Sequence, residues 1–212
     1  MIKKLQALKA KKGFTLVELV VVIAIIGVLA AILVPTMIGV VQDSNITSAD
    51  STASQIKTQA TNFLTKADSA KCAIRGTDSL LTVTCEVDTS STSAGGDVKA
   101  WTIGGTDSSY FGKEGDDKWT WTGGDKNTSF DAYMADVLRD FKNGYAEIYI
   151  LNAAVIGVAV VPGGAAADIP EALQDDGVWN GSQEITWPGN KAGVGSDSVI
   201  VGTAPKISHV AG

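Results

Sequence analysis

Leu19–Val34 reads LVVVIAIIGVLAAILV and holds no charged or strongly polar side chain. Counted from Phe14, the apolar run covers 21 residues and is interrupted only by Thr15 and Glu18. About 20 apolar residues in a helix cross a bilayer, so this segment is long enough to span one. Upstream, every charge in residues 1–13 is a lysine: Lys3, Lys4, Lys9, Lys11 and Lys12. Lysines on that flank predict a cytoplasmic N-terminus and a body on the other side of the membrane.

The rest of the chain has the opposite charge balance. Of 17 basic side chains 12 remain after residue 13, against all 23 acidic ones, and the whole chain carries −6. Nucleic-acid binding is not expected of so acidic a body. With 212 residues and 45% hydrophobic content, the chain can bury the core of one domain with an appendage. One His and two Cys leave little for a zinc site or a His-dependent centre. Pro162-Gly163-Gly164 lacks the lysine and following helix of a phosphate loop, and no Gly-x-Ser-x-Gly elbow occurs. The chain is therefore not read as an enzyme. A membrane-anchored enzyme is the remote alternative, and it would stay in the membrane unprocessed.

Three readings compete for the N-terminus. A secretory signal peptide would use Val28-Leu29-Ala30 as its cleavage site, but the chain stays apolar through Val34 where a polar exit is expected. A simple signal anchor leaves Glu18 unexplained, because a carboxylate inside a membrane segment costs roughly 2.5–3.5 kcal/mol on insertion scales. A position close to the headgroups would keep Glu18 hydrated. The third reading rests on Lys11-Lys12-Gly13-Phe14-Thr15-Leu16-Val17-Glu18 running straight into the apolar stretch.

That stretch, over about residues 9–35, resembles the processing motif of type IV pilins and of their relatives in type II secretion and DNA uptake. The resemblance implies cleavage of a leader, residues 1–13, after Gly13 by a prepilin peptidase on the cytoplasmic face, and N-methylation of Phe14. It implies that Glu18 neutralises the Phe14 amine of a neighbouring subunit during assembly. An intramolecular pair is the alternative, since Phe14 and Glu18 lie one helical turn apart. Buried charges are tolerated when paired, so such a pair would tie burial to correct axial register. The expected partners are identical subunits in a helical fibre, the peptidase and methyltransferase, an assembly platform and, before assembly, the cytoplasmic membrane with the head outside. The function so implied is that of a structural pilus subunit serving adhesion, motility or biofilm growth, with a pseudopilin as the alternative.

Ala24, Gly27, Ala30 and Ala31 are small, and Gly27 and Ala31 have the four-residue spacing that lets helices approach closely. Pro35 removes a backbone donor and predicts a kink or local loosening near Val34–Gly39. Beyond it Ile38, Val41, Ile46, Ala49, Ala53, Ile56, Ala60, Phe63, Leu64 and Ala67 recur mainly at intervals of three and four among polar residues. This predicts one helix over 14–67, membrane-spanning or fibre-core over 14–34 and amphipathic after the proline. Its Ser and Thr content lowers intrinsic helicity, so packing must hold it. An antiparallel sheet in a head over 68–212 is the natural partner. The fold class is α+β, with the long helix packed on a β-sheet head as in pilins.

Within the head, Leu80–Val87 reads as a strand, and Val98–Ile103 and Lys118–Thr122 as short strands among Ser- and Gly-rich loops. Thr128–Asp131 has capping-box spacing and predicts a helix that Asn143-Gly144 ends. Tyr145–Leu151 and Val155–Val161 predict a hairpin turning at Asn152-Ala153-Ala154, with Pro162-Gly163-Gly164 as the stop. Val178–Trp187 and Ser198–Gly202 are expected to add edge strands.

Three side-chain groups are further candidates. Cys72 and Cys85 enclose 12 residues and, outside the cytoplasm, suit either a disulfide or two buried thiols. Trp119 and Trp121 alternate, so an exposed pair would offer stacking surface for sugar rings, and the alternative is core packing. Asp175, Asp176 and Asp197 offer oxygens for Ca²⁺ without EF-hand spacing, no other cofactor being implied. His209 reads as an exposed tail residue.

Overall fold

The computed structural model describes residues 14–72, 74–75, 79–88, 100–105, 110–111, 119–187, 191–195 and 199–207. The leader, Gly13, Asp197 and His209 lie outside the described residues. Helix α1 runs over Leu16–Ser69. The chain divides into two compact units, residues 1–43 and 44–212.

In the first unit the helix continues through Pro35. Thr36 Oγ1 donates to the Leu33 carbonyl at 2.9 Å, so a side chain serves the turn in which the proline has removed a donor.

The second unit is built on a five-stranded antiparallel sheet in the order β3-β2-β5-β6-β7. Its strands are β2 (Leu81–Asp88), β3 (Ala100–Gly104), β5 (Gly144–Leu151), β6 (Ala154–Pro162) and β7 (Gly202–Ala204). A separate two-stranded ribbon joins β1 (Ile74–Arg75) to β4 (Tyr110–Phe111). Alternation divides the faces. Val83, Cys85, Ala146, Ile148, Ile150, Val158 and Val160 meet Ala53, Ile56, Ala60, Phe63, Leu64 and Ala67 of α1 in one core. At Ala49 strand β7 comes close to the helix: a Cβ on Gly202 would stand 2.1 Å from the Ala49 carbonyl carbon. Asp50 fixes that approach by accepting from Thr203 N at 2.9 Å and pairing with Lys206 at 3.1 Å. Lys57, half-buried on α1, donates to the Ile156 carbonyl at 2.8 Å, and burial lowers its pKa.

The opposite face of the sheet carries a second core. Tyr149, Ala159 and Val161 pack under Ile169, Leu173, Val178, Trp179, Ile185, Trp187, Val201 and Ile207. That layer descends from the C-terminal part of the chain through 3₁₀ turns at Ala166–Asp168 and Glu171–Gln174 and the one-turn helix α3 (Asp176–Trp179).

The hairpin of β5 and β6 forms as expected, and Asn152 and Ala153 both have positive φ, 51° and 62°. Two left-handed residues are what a two-residue hairpin of matching twist requires. Several other expectations fail. Helix α2 covers only Phe130–Val137, and Gly144 opens β5 instead of closing a helix. Ser129 does not cap it: its hydroxyl turns to the Asp131 carboxylate. Of the expected strand Lys118–Thr122, the described residues 119–122 contribute one isolated bridge, Thr120 to Ser129, and no strand. Val178–Trp187 forms no edge strand, since Asp175 accepts from Gly177 N and turns the chain into α3. At the C-terminal edge, pairing with β6 begins at Gly202.

Candidate functional site

Helix α1 begins with a reciprocal cap. Thr15 N donates to Glu18 Oε2 at 2.8 Å, Thr15 Oγ1 donates to the same oxygen at 2.7 Å, and Glu18 N donates to Thr15 Oγ1 at 3.2 Å. Orphan backbone donors at a helix start are thereby satisfied by Thr15 and Glu18 together. Thr15 escaped the sequence reading, although Thr-x-x-Glu before an apolar run is its signature. Glu18 therefore has a partner within its own chain, and Phe14 lies just outside the helix, 88% exposed.

Behind the cap, the apolar side chains of the first unit find no cover. Leu16, Val17, Leu19, Ile23, Ile26, Leu29, Leu33 and Val41 are all exposed, and nothing lies within 4 Å of where a Gly27 Cβ would be. The best 18-residue window has mean hydropathy 3.1 and is wholly unburied. An exposed apolar surface of this extent in a folded protein marks contact with lipid or with other protein.

The head candidates resolve differently. Cys72 and Cys85 are free and buried, so the two-thiol alternative holds instead of the disulfide. Burial and the nearby Glu147 push the Cys85 thiol upward, which makes it unreactive. Trp119 and Trp121 are not a sugar platform. Trp119 packs 5.2 Å from Phe63, and Trp121 lies between Phe111 at 4.8 Å and Phe130 at 5.3 Å. Both indoles belong to the helix-facing core, and Trp121 is buried. Asp175 spends its oxygens on Gly177 N and on Gln183 Nε2 at 3.1 Å. Asp176 is exposed, and among the described residues no three His, Cys, Asp or Glu side chains converge as a metal site would need.

The sequence reading also passed over Glu147. It is buried on the outer face of β5, where Tyr149 donates to its Oε2 at 2.5 Å. The Tyr-x-Glu-x-Tyr alternation within β5 was the available signal, since it places all three on one face.

Comparison with known proteins divides the chain in a similar way. Residues 8–34 match the prokaryotic N-terminal methylation motif, and residues 46–208 match a family described as a domain of unknown function (DUF5021). The chain belongs to the DUF5021 family, and its N-terminal segment is similar to those of fimbrial and type IV pilus proteins. A fimbrial protein of Pseudomonas aeruginosa is 49% identical over 53 residues, which covers 25% of this chain and 34% of that protein. The type IV narrow pilus major component PilA5 of Thermus thermophilus is 46% identical over 46 residues, 22% of this chain and 40% of its own. A fimbrial protein of Moraxella nonliquefaciens is 38% identical over 71 residues, 34% of this chain and 44% of its own. This DUF5021 chain thus spans less than half the length of these curated relatives. No solved structure matches it.

Proposed function

We propose that this chain is a structural subunit of a type IV pilus, cleaved after Gly13, methylated on Phe14 and polymerised through the first half of α1. The observation that carries the reading is the uncovered apolar surface of α1 behind a single carboxylate at Glu18. Before assembly the bilayer covers that surface, with the N-terminus cytoplasmic and the head outside. In the fibre, the same segments of other copies take the place of lipid.

Hydrolysis of the Gly13–Phe14 peptide bond creates an α-ammonium at Phe14, beside the Thr15–Glu18 cap. In a medium without water that cation needs an anion, and Glu18 is the acidic residue of the helix start. Glu18 already accepts from Thr15, so the Phe14 amine of a neighbouring copy competes with or adds to those hydrogen bonds. The pair forms only when the two copies are in axial register. Methylation leaves the amine basic and able to pair.

Electron microscopy of surface filaments with subunit-specific antibody tests this reading. Labelled filaments are expected from cells carrying the wild-type chain and not from cells carrying Glu18→Ala. Unlabelled wild-type filaments, or normal filament number and length with Glu18→Ala, would overturn it.

A further inference from the structure

Tyr145, Glu147 and Tyr149 share the outer face of β5, with Glu147 opposite Thr84 of β2 and Ala159 of β6. Glu147 is 7% exposed. Tyr149 donates to Oε2 at 2.5 Å, and the Tyr145 hydroxyl reaches Oε1 at 3.5 Å. The Tyr149 ring then lies against Trp179, centroids 4.7 Å apart, and Trp179 Nε1 donates to the Leu173 carbonyl at 2.7 Å. Gly157, across from Tyr149 on β6, leaves room for the indole, which would be 2.1 Å from a Cβ there. A continuous path of contacts thus joins the carboxyl to the C-terminal layer that covers this face.

We propose that Glu147 is a protonation-controlled latch for the C-terminal layer: neutral, it holds residues 163–187 closed on the sheet, and ionised it favours their release. An ionised carboxylate in an apolar layer is costly unless a cation faces it. Among the groups sharing its face, β5 contributes the two phenols, β2 contributes Thr82, Thr84 and the acidic Glu86, and β6 contributes Gly157, Ala159 and Val161. The overlying segment carries Asp168, Glu171, Asp175, Asp176 and Glu184 against Lys191 and Lys206, and Lys206 is paired with Asp50. None of the described side chains that share its sheet face is a cation.

Burial raises the Glu147 pKa above its ordinary 4.5, and the Tyr149 and Tyr145 hydroxyls offset this only in part. Burial also pushes the Tyr145 hydroxyl up to about 12 and the Tyr149 hydroxyl higher still, so both remain donors while Glu147 titrates. The open state ionises near 4.5 and the closed state above it. Closure is therefore strongest below 4.5, and weakens as pH rises through the window up to the raised value.

Hydrogen exchange of the full chain in detergent micelles, corrected for the intrinsic pH dependence of exchange, reads this directly. Peptides from 163–187 should lose protection by about tenfold per pH unit within the window and then level off. Peptides from the α1 portion 44–69 should not follow them. Glu147→Gln should abolish that slope and keep the layer as protected at pH 8 as the wild type is in acid. A wild-type layer without pH dependence, or an unchanged slope in Glu147→Gln, would overturn the proposal. Should Glu147→Gln fail to fold, Tyr149→Phe keeps the ring against Trp179 and deletes a donor to the carboxylate. Its transition should move to higher pH, and an unmoved midpoint would equally overturn the latch.

Discussion

One helix holds two regions with opposite fates. Between Leu16 and Val41 the large apolar side chains are exposed, whereas between Ala49 and Ala67 those of the apolar stripe are buried under the sheet. The first region is apolar on all sides and is mostly aliphatic and bulky. The second confines its apolar residues to a stripe, four of them alanines, with Ile56, Phe63 and Leu64 between. A stripe signals a partner within the same chain, and an all-round apolar surface signals one outside it. Composition thus distinguishes the part of the helix that stabilises the fold from the part whose apolar surface its own chain leaves uncovered.

The largest effect that would break this comparison concerns assembly. Glu18→Ala should reduce filament yield by more than tenfold, and leave the thermal unfolding of the head unchanged when both are measured on the same preparation. A head that lost stability would show that the first unit also serves the fold. Next in size is Phe63→Ala. Phe63 is fully buried and has Trp119, Phe130, Tyr133 and Phe111 within 5.2–5.8 Å. Its truncation should cost about 3–5 kcal/mol by denaturant unfolding of the full chain in detergent. Ile25→Ala in the first unit, by contrast, should leave that transition in place.

Gly202→Ala sharpens the account of the second region, because β7 lies directly on the α1 backbone at Ala49. The added methyl should cost about 1–3 kcal/mol by the same measurement, through displacement of the strand. The smallest change has the opposite sign. Ala153 holds a left-handed conformation that favours glycine, so Ala153→Gly should stabilise the head by about 0.5–1 kcal/mol.

Much of this was legible in advance wherever period and composition agreed. The three- and four-residue spacing gives the buried stripe from Ala49 to Ala67, whereas Ile38 and Val41, expected in the same stripe, are exposed. The alternating, β-branched runs on either side of Asn152 gave the central hairpin. Legibility failed where short apolar runs had no period of their own. Val178 and Trp187 were expected on a strand, but Asp175 caps a helical turn and the residues pack as isolated anchors on the outer face of the sheet. For Trp119 and Trp121 the alternation leaves a sugar-stacking surface and core packing both open, and the core alternative holds because Phe63 of α1, with Phe111 and Phe130, packs against them. Thr15 and Glu147 were passed over for different reasons. The Thr15 cap was written in four consecutive residues and overshadowed by Glu18. The burial of Glu147 depends on a layer contributed by the C-terminal part of the chain, which strand alternation alone does not reveal.

The central claim is that the apolar half of α1 is retained, exposed at a new terminus, and buried by other copies. Intact-mass and N-terminal peptide measurement on subunits sheared from the cell surface tests it most directly. The account predicts a chain beginning at Phe14 and carrying one added methyl group on its amine. A chain that still begins at Met1, or one trimmed beyond Ala30 so that the apolar segment is lost, would contradict it.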